Sequence, residues 1–231
     1  MLKTNTTKII ATTIFMLIQA VFLSLVIITG KDFFIVVLIS MLFLTLSFAK
    51  TKSYLFTQIA LITTVFADIF LVVIEPMIQL PAMVFFSVTQ ICYFLRQYFE
   101  AENKIEKKIH LILRVSLSAL MLIITAIVLR EKTDLLSLVS MFYYTNLVLN
   151  LIFAFIHFKK SPFMAIGLLC FLLCDTIVGF NMMADVYLNG ALVNWINNLF
   201  SKANWAWIFY VPSQALLGAS LIKLNKKKSS T

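Results

Sequence analysis

Long apolar runs separated by short polar connections dominate the chain. Crossing a bilayer takes roughly 20 mainly apolar residues in a helix, and about eight such runs are present. They are residues 9–29, 33–49, 54–74, 79–99, 109–129, 135–157, 163–184 and 205–223. We therefore predict an all-α fold, a polytopic transmembrane bundle of about eight helices that forms a single domain over residues 1–231.

The basic residues indicate how these runs are oriented. Lys and Arg collect in the cytoplasmic connections of membrane proteins. If both termini are cytoplasmic, only Lys31, Arg130, Lys132 and Lys202 of the 19 basic residues fall outside. The inner side then holds all the others, including Arg96, Arg114 and the polar connection 100–108. We therefore predict that both termini lie in the cytoplasm.

Composition supports a membrane protein. Hydrophobic residues make up 61% of the chain and charged residues 13%, with a mean hydropathy of +0.98. A soluble domain has about 45–50% apolar residues, so the bilayer must be the solvent for most of this chain. The net charge of +9 is explained by topology and by attraction to anionic lipid headgroups, and no nucleic-acid partner is expected. We predict a multi-pass protein of a cell membrane, of the bacterial inner-membrane type.

Two carboxylates stand out because they fall inside apolar runs. A carboxylate at membrane depth costs on the order of 2.5–3.5 kcal/mol and marks a functional cavity by default. Asp68 and Asp175 lie at similar depths when each helix rises by about 1.5 Å per residue. Gln90 and Gln214 share that depth. The four side chains are therefore predicted to form one polar layer facing an enclosed cavity.

Other polar residues in the runs carry a weaker signal. Tyr93 and Tyr210 each lie about one turn from one of these glutamines, so each pair shares a helix face. Asn146 and Asn150, also one turn apart, are predicted to form hydrogen bonds between helices. The same role, as protonated groups joining helices, is open to Asp68 and Asp175.

Histidine and cysteine do not indicate a metal site. His110 and His157 fall near inner helix ends, and neither is expected to act as a catalytic base. Three cysteines fall within apolar runs and are expected to pack: Cys92, Cys170 and Cys174. No metal or cofactor is predicted.

Residues 192–200 alternate apolar and polar positions at helical spacing, which predicts a short interfacial helix.

Two groups of residues resemble the signatures of the YhhN-type lysoplasmalogenase-like membrane proteins, which have about eight helices. The first group is Ala67-Asp68 followed by Phe86, Gln90 and Tyr93. The second is Gly167, Phe171, Cys174-Asp175, Asn181, Tyr210 and Gln214. Three residues depart from the family pattern: Ala67 replaces Gly, Gln90 replaces His, and Cys174 replaces Ser. Gln90 matters most, because an amide cannot titrate near neutral pH as His does.

The resemblance implies hydrolysis of the vinyl ether bond of a lysoplasmalogen, which yields a fatty aldehyde and a glycerophospho-amine. Asp68 and Asp175 would divide the roles of acid and of base or stabiliser. The implied substrate-binding residues are Gln90, Tyr93, Asn181, Tyr210 and Gln214. Two other classes remain open: a small transporter or proton-coupled permease that uses the same aspartates, and a non-catalytic lipid-binding membrane protein.

Overall fold

The computed structural model describes residues 5–29, 52–74, 76–187 and 205–221, and in this part of the chain every long element is a helix. The α-helices are α1 (Asn5–Thr29), α2 (Lys52–Asp68), α3 (Gln79–Glu100), α4 (Lys104–Leu129), α5 (Leu135–Ile156), α6 (Pro162–Tyr187) and α7 (Trp205–Ala219). A π-helix, Ile69–Val73, continues α2, and a 3₁₀-helix, Arg130–Lys132, follows α4.

The all-α prediction is confirmed, and the predicted runs agree with the helices that the structure describes. Among the described residues, five segments are long and apolar enough to cross a membrane: Ile9–Thr29, Ser53–Val73, Lys104–Lys132, Leu135–Ile156 and Pro162–Phe180. The chain is a multi-pass helical membrane protein. The predicted helices at 33–49 and 192–200 lie outside the described residues. The count of eight and the orientation stay predictions.

The chain divides into two compact units. The central unit is residues 49–162, and the terminal unit combines residues 1–48 with residues 163–231. The central unit therefore contains α2 to α5, whereas the terminal unit contains α1, α7 and all but the first residue of α6. The single domain over residues 1–231 stays a prediction.

Threonine hydroxyls and aromatic rings join α2 to α3 in the central unit. The hydroxyl of Thr89 donates to the carbonyl of Ala60 at 3.2 Å and lies 2.8 Å from the hydroxyl of Thr63. Near the start of α2 and the end of α3, the rings of Phe56 and Phe99 stack at 5.4 Å. Small polar groups at a helix interface let two helices approach closely in lipid, where apolar burial alone gives little drive for association.

The terminal unit packs α7 against α1 and α6. Phe15 of α1 forms a buried apolar cluster with Val211 and Ala215 of α7. Gly167 of α6 faces α7 so closely that a Cβ atom there would lie 2.9 Å from Cγ of Leu217. A glycine at this position allows α6 and α7 to approach without a clash.

Two arginines counted on the inner side lie within helices. Arg96 of α3 is 1% exposed, donates to the hydroxyl of Thr57 at 2.9 Å and pairs with Glu100 at 3.2 Å. Arg114 of α4 is 6% exposed and well inside the helix. Arg114 thus lies within the helix predicted at 109–129. Its two terminal nitrogens form hydrogen bonds within the bundle, whereas Nε has no partner among the described residues.

The split of the basic residues predicts that both termini and the connection 100–108 are cytoplasmic. Reporter fusions that are active only in the cytoplasm should be active when joined after Lys104 and after Thr231. A periplasmic reporter at the same two positions should be silent, which provides the control. Opposite locations for the two positions would overturn the count of eight helices.

Candidate active site

Asp68 is buried at the junction of α2 and the π-helix. Its side chain is 5% exposed, although the residue lies inside an apolar membrane span. The amide of Ile74 donates to the carbonyl of Ile69 at 3.0 Å, five residues back, which is the π-helical pattern. Single π-helical turns within α-helices occur frequently at functional sites. The local backbone thus changes its winding immediately after the carboxylate.

Aromatic packing fixes this junction against α3. The rings of Phe66 and Phe70, which lie on either side of Asp68 in sequence, both stack on Phe85 at 5.5 and 5.7 Å. Phe86, a residue of the first signature, is 5% exposed and packs its ring on Tyr143 of α5 at 5.4 Å. The segment that carries Asp68 is thus held by rings of the central unit.

Gln90 and Tyr93 are completely enclosed on α3, since both are 0% exposed. Asn150 of α5 donates through Nδ2 to the backbone carbonyl of Gln90 at 2.8 Å and to its side-chain Oε1 at 2.9 Å. Nε2 of Gln90 and the hydroxyl of Tyr93 have no partner among the described residues. Unsatisfied buried donors are costly, so these two groups are suited to binding a polar ligand.

Arg114 anchors a second set of polar contacts beside Gln90. Its two terminal nitrogens donate to Oδ1 of Asn146 at 2.6 Å and to Oδ1 of Asn150 at 2.7 Å. The guanidinium carbon lies 4.3 Å from the centre of the Phe94 ring, which is a cation–π contact. In the described part of the chain the partners of this cation are thus amides and a ring.

The same amides extend the contacts across three helices. Asn146 donates to the hydroxyl of Ser118 at 3.3 Å and to the carbonyl of Phe142 at 2.7 Å, and Gln97 donates to the carbonyl of Asn150 at 2.8 Å. We call Gln90, Gln97, Arg114, Asn146 and Asn150 the amide–arginine network. The prediction that the two asparagines bond between helices is confirmed.

The terminal unit holds the second signature along the contact of α6 with α7. Phe171 of α6 is fully buried and meets the ring of Tyr210 edge-on at 6.1 Å. Gln214, one turn beyond Tyr210, is 1% exposed, and its Oε1 has no partner among the described residues. Pro212 lies inside α7 between them, where it removes one backbone hydrogen bond.

Two other members of the second signature lie on α6. Asp175 is only partly buried, in contrast to Asp68. The backbone of Asn181 is helical, and its side chain lies outside the described part of the structure. The single cavity predicted to join Asp68 and Gln90 with Asp175 and Gln214 combines residues of both units and stays a prediction.

A comparison with protein families returns one described as the YhhN family, which matches residues 26–221. That range covers most of the chain and includes every residue of both signatures. The chain belongs to the YhhN family. The resemblance predicted from the two signatures is therefore confirmed. Neither a curated protein nor a solved structure matches the chain significantly.

The amide–arginine network is the feature of this region that sequence reasoning missed. Arg114 lies within the predicted run 109–129, and its charge was counted only as a basic residue of the inner side. Asn146 and Asn150 gave a usable signal, because two amides one turn apart in an apolar run need a polar partner. Identifying that partner as Arg114 requires the pairing of α4 with α5.

Replacing Arg114 tests whether the network holds the central unit together. Arg114→Met removes the donors to Asn146 and Asn150 while keeping an apolar stem. Each buried polar group left unsatisfied costs about 1–3 kcal/mol, so the free energy of unfolding should fall by about 3 kcal/mol. Unfolding in bicelles by added sodium dodecyl sulfate, followed by circular dichroism, measures it.

Lys108→Met is the matched control, because Lys108 is an exposed cation on the same helix. Surface changes of this kind usually alter stability by less than about 0.5 kcal/mol. Equal stability losses for the two variants would show that the network contributes nothing specific.

Proposed function

We propose that this protein is a membrane-embedded hydrolase of the vinyl ether bond of lysoplasmalogen-type lipids. The observation that carries the proposal is membership of the YhhN family over residues 26–221, a family that includes lysoplasmalogenases. Both intramembrane aspartates of the signatures are present within this range, at Asp68 and Asp175.

The reaction needs an acid and a base in sequence. A proton adds to the outer carbon of the enol ether, which leaves an oxocarbenium ion at the carbon bonded to oxygen. Water attacks that carbon and loses a proton, giving a hemiacetal. Proton transfer to the ether oxygen then breaks the carbon–oxygen bond, releasing a fatty aldehyde and the glycerol hydroxyl of the lysolipid. Asp68 and Asp175 divide these transfers and stabilise the cation.

The unequal burial of the two carboxyl groups supports this division. Asp68 is 5% exposed, whereas Asp175 is partly exposed. Two carboxyl groups in different surroundings can hold different protonation states at one pH, as an acid and a base require. The π-helical turn after Asp68 gives further support, since it sets the direction of the chain at that residue.

Polar groups around the aspartates are suited to the lipid headgroup and glycerol. In the central unit, the free Nε2 of Gln90 and the hydroxyl of Tyr93 are available as donors among the described residues. In the terminal unit, Tyr210 and Gln214 share a face of α7, and we assign them with Asn181 to substrate binding. Donors that are buried but unsatisfied gain most when a ligand oxygen binds.

An open apolar groove on the surface of the central unit is suited to the hydrocarbon chain. It has a volume of about 310 Å³ and lies between α3, α4 and α5. Its walls are formed by Val84, Ser87, Val88, Leu122, Leu138, Val139 and Phe142. A groove of this size is at the lower end of the range for ligand pockets, so we propose that it holds part of an alkenyl chain.

Replacing either aspartate tests the chemical role. Asp68→Asn and Asp175→Asn keep the shape and the hydrogen-bonding capacity but cannot exchange a proton. Turnover of a lysoplasmalogen should fall by roughly 100-fold or more in each variant. Purified protein in detergent is incubated with the lysolipid, and the aldehyde is measured as its hydrazone.

Asp134→Asn provides the control for these two variants. Asp134 caps the start of α5 by accepting from the backbone amide of Ser137 at 2.8 Å, outside the membrane spans. Hydrogen bonds from Ser137 hold the pKa of Asp134 below its usual range. Asn caps helices as well as Asp does, so turnover should be unchanged.

Absence of aldehyde from the unmodified protein across a panel of vinyl-ether lysolipids would remove the hydrolase proposal.

Restoring the family's histidine tests the effect of Gln90. In Gln90→His a ring nitrogen replaces Oε1 as the acceptor from Asn150, and the side chain gains a group that titrates near neutral pH. Turnover should rise by at least about tenfold, since general acid–base groups typically contribute more than that.

Gln97→His is the matched control, because Gln97 lies on the same helix and also bonds to Asn150. It should show no gain in aldehyde release. Equal rates for Gln90→His and the unmodified protein would show that a titratable side chain at position 90 is not required.

A further inference from the structure

Three potential metal ligands meet where α4 begins and α5 ends. Glu106 and His110 lie one turn apart on α4, and His157 is the C-cap of α5. Oε1 of Glu106 is 2.5 Å from Nε2 of His157 and 3.8 Å from Nε2 of His110. One ligand atom from each of the three residues lies within 4.8 Å of the other two.

His110 lacks the partners that a buried imidazole needs. Its side chain is 0% exposed, and neither ring nitrogen has a hydrogen-bond partner among the described residues. Its ring is stacked on Phe153 of α5 with 3.4 Å between centroids, which fixes its orientation. A neutral imidazole carries one donor and one acceptor, and a buried acceptor without a donor or a metal is costly.

We propose that Glu106, His110 and His157 bind a divalent transition-metal ion of the zinc class. Two imidazoles and one carboxylate are a known three-ligand zinc set that leaves a fourth position for water. Imidazole nitrogens favour zinc, copper, iron or nickel over magnesium and calcium. The ion would occupy the space that the three ligand atoms enclose and would join the start of α4 to the end of α5.

The two separations from Glu106 lie near the value that a bound ion needs. With metal–ligand bonds of about 2.0–2.2 Å, tetrahedral ligand atoms lie about 3.4 Å apart. The two separations from Glu106, 2.5 and 3.8 Å, fall on either side of that value. The carboxylate of Glu106 is 24% exposed, so it has room to rotate between the two rings.

The neighbouring lysine, Lys160, bonds to Glu102 and not to Glu106. Nζ of Lys160 donates to Oε1 of Glu102 at 2.7 Å, and this bond keeps the pKa of Glu102 below its usual range. Glu106 instead faces the two histidines. Glu102 and Glu106 thus lie four residues apart in sequence and have different partners. Glu102 therefore provides an internal control for Glu106.

Metal titration of the full-length protein tests the proposal independently of lipid hydrolysis. The protein is purified in detergent with a tag that contains no histidine, stripped with a chelator and titrated with Zn²⁺. We expect one equivalent to bind. Loss of a direct ligand should exceed the 10–100-fold losses typical of outer-shell changes, so Glu106→Gln and His157→Gln should weaken binding by roughly 100-fold or more. Glu102→Gln should bind as the unmodified protein does.

Cobalt provides a readout that needs no variant. Co²⁺ added to the stripped protein should give visible absorption bands of four-coordinate cobalt, and Zn²⁺ should abolish them. Zn²⁺ should also raise the unfolding temperature of the unmodified protein, because an ion that binds only the folded state stabilises it. Failure to bind either ion, or equal affinity in all variants, would overturn the site and leave an ion pair between Glu106 and His157.

Discussion

The contacts among three helices of the central unit depend on the hydrogen bonds of the buried guanidinium of Arg114. Arg114 lies inside a membrane-spanning helix, where water cannot hydrate it, so protein groups must supply its hydrogen bonds. The acceptors come from Asn146 and Asn150 on α5, which fixes the rotation of α5 about its own axis relative to α4. Asn150 then donates to Gln90 on α3. One desolvated guanidinium therefore determines how three helices face one another.

The terminal unit is held by a different means, close apolar contact without a buried charge among its described residues. Gly167 lets Leu217 approach within a distance that a larger side chain would prevent. Phe171 and Tyr210 meet edge-on at the same helix pair, and Phe15 of α1 packs beside Val211. Small residues and ring contacts are effective in lipid, where dispersion and fit replace the hydrophobic drive. The second family signature is thus partly a packing signature.

Much of this architecture could be predicted from the sequence, because hydropathy and length define a transmembrane helix directly. The predicted run 135–157 and the helix Leu135–Ile156, which is long and apolar enough to cross a membrane, differ by one residue. The winding change after Asp68 could not be predicted, since Phe66 and Phe70 both reach Phe85 only in the packed pair. The partners of Arg114 could not be predicted for a related reason: a cation near the start of an apolar run gives the same sequence pattern whether it faces water or amides.

The side-chain oxygen of Gln90 is part of the network around it. Position 90 must offer an acceptor to Nδ2 of Asn150, whose own Oδ1 is occupied by Arg114. The amide oxygen of Gln90 is that acceptor. Unlike an imidazole, the amide has no group that titrates near neutral pH. None of the network amides can titrate near neutral pH, and Arg114 stays charged. In the proposed hydrolase, proton transfer near Gln90 therefore passes to the carboxyl groups, and the network contributes position and positive charge.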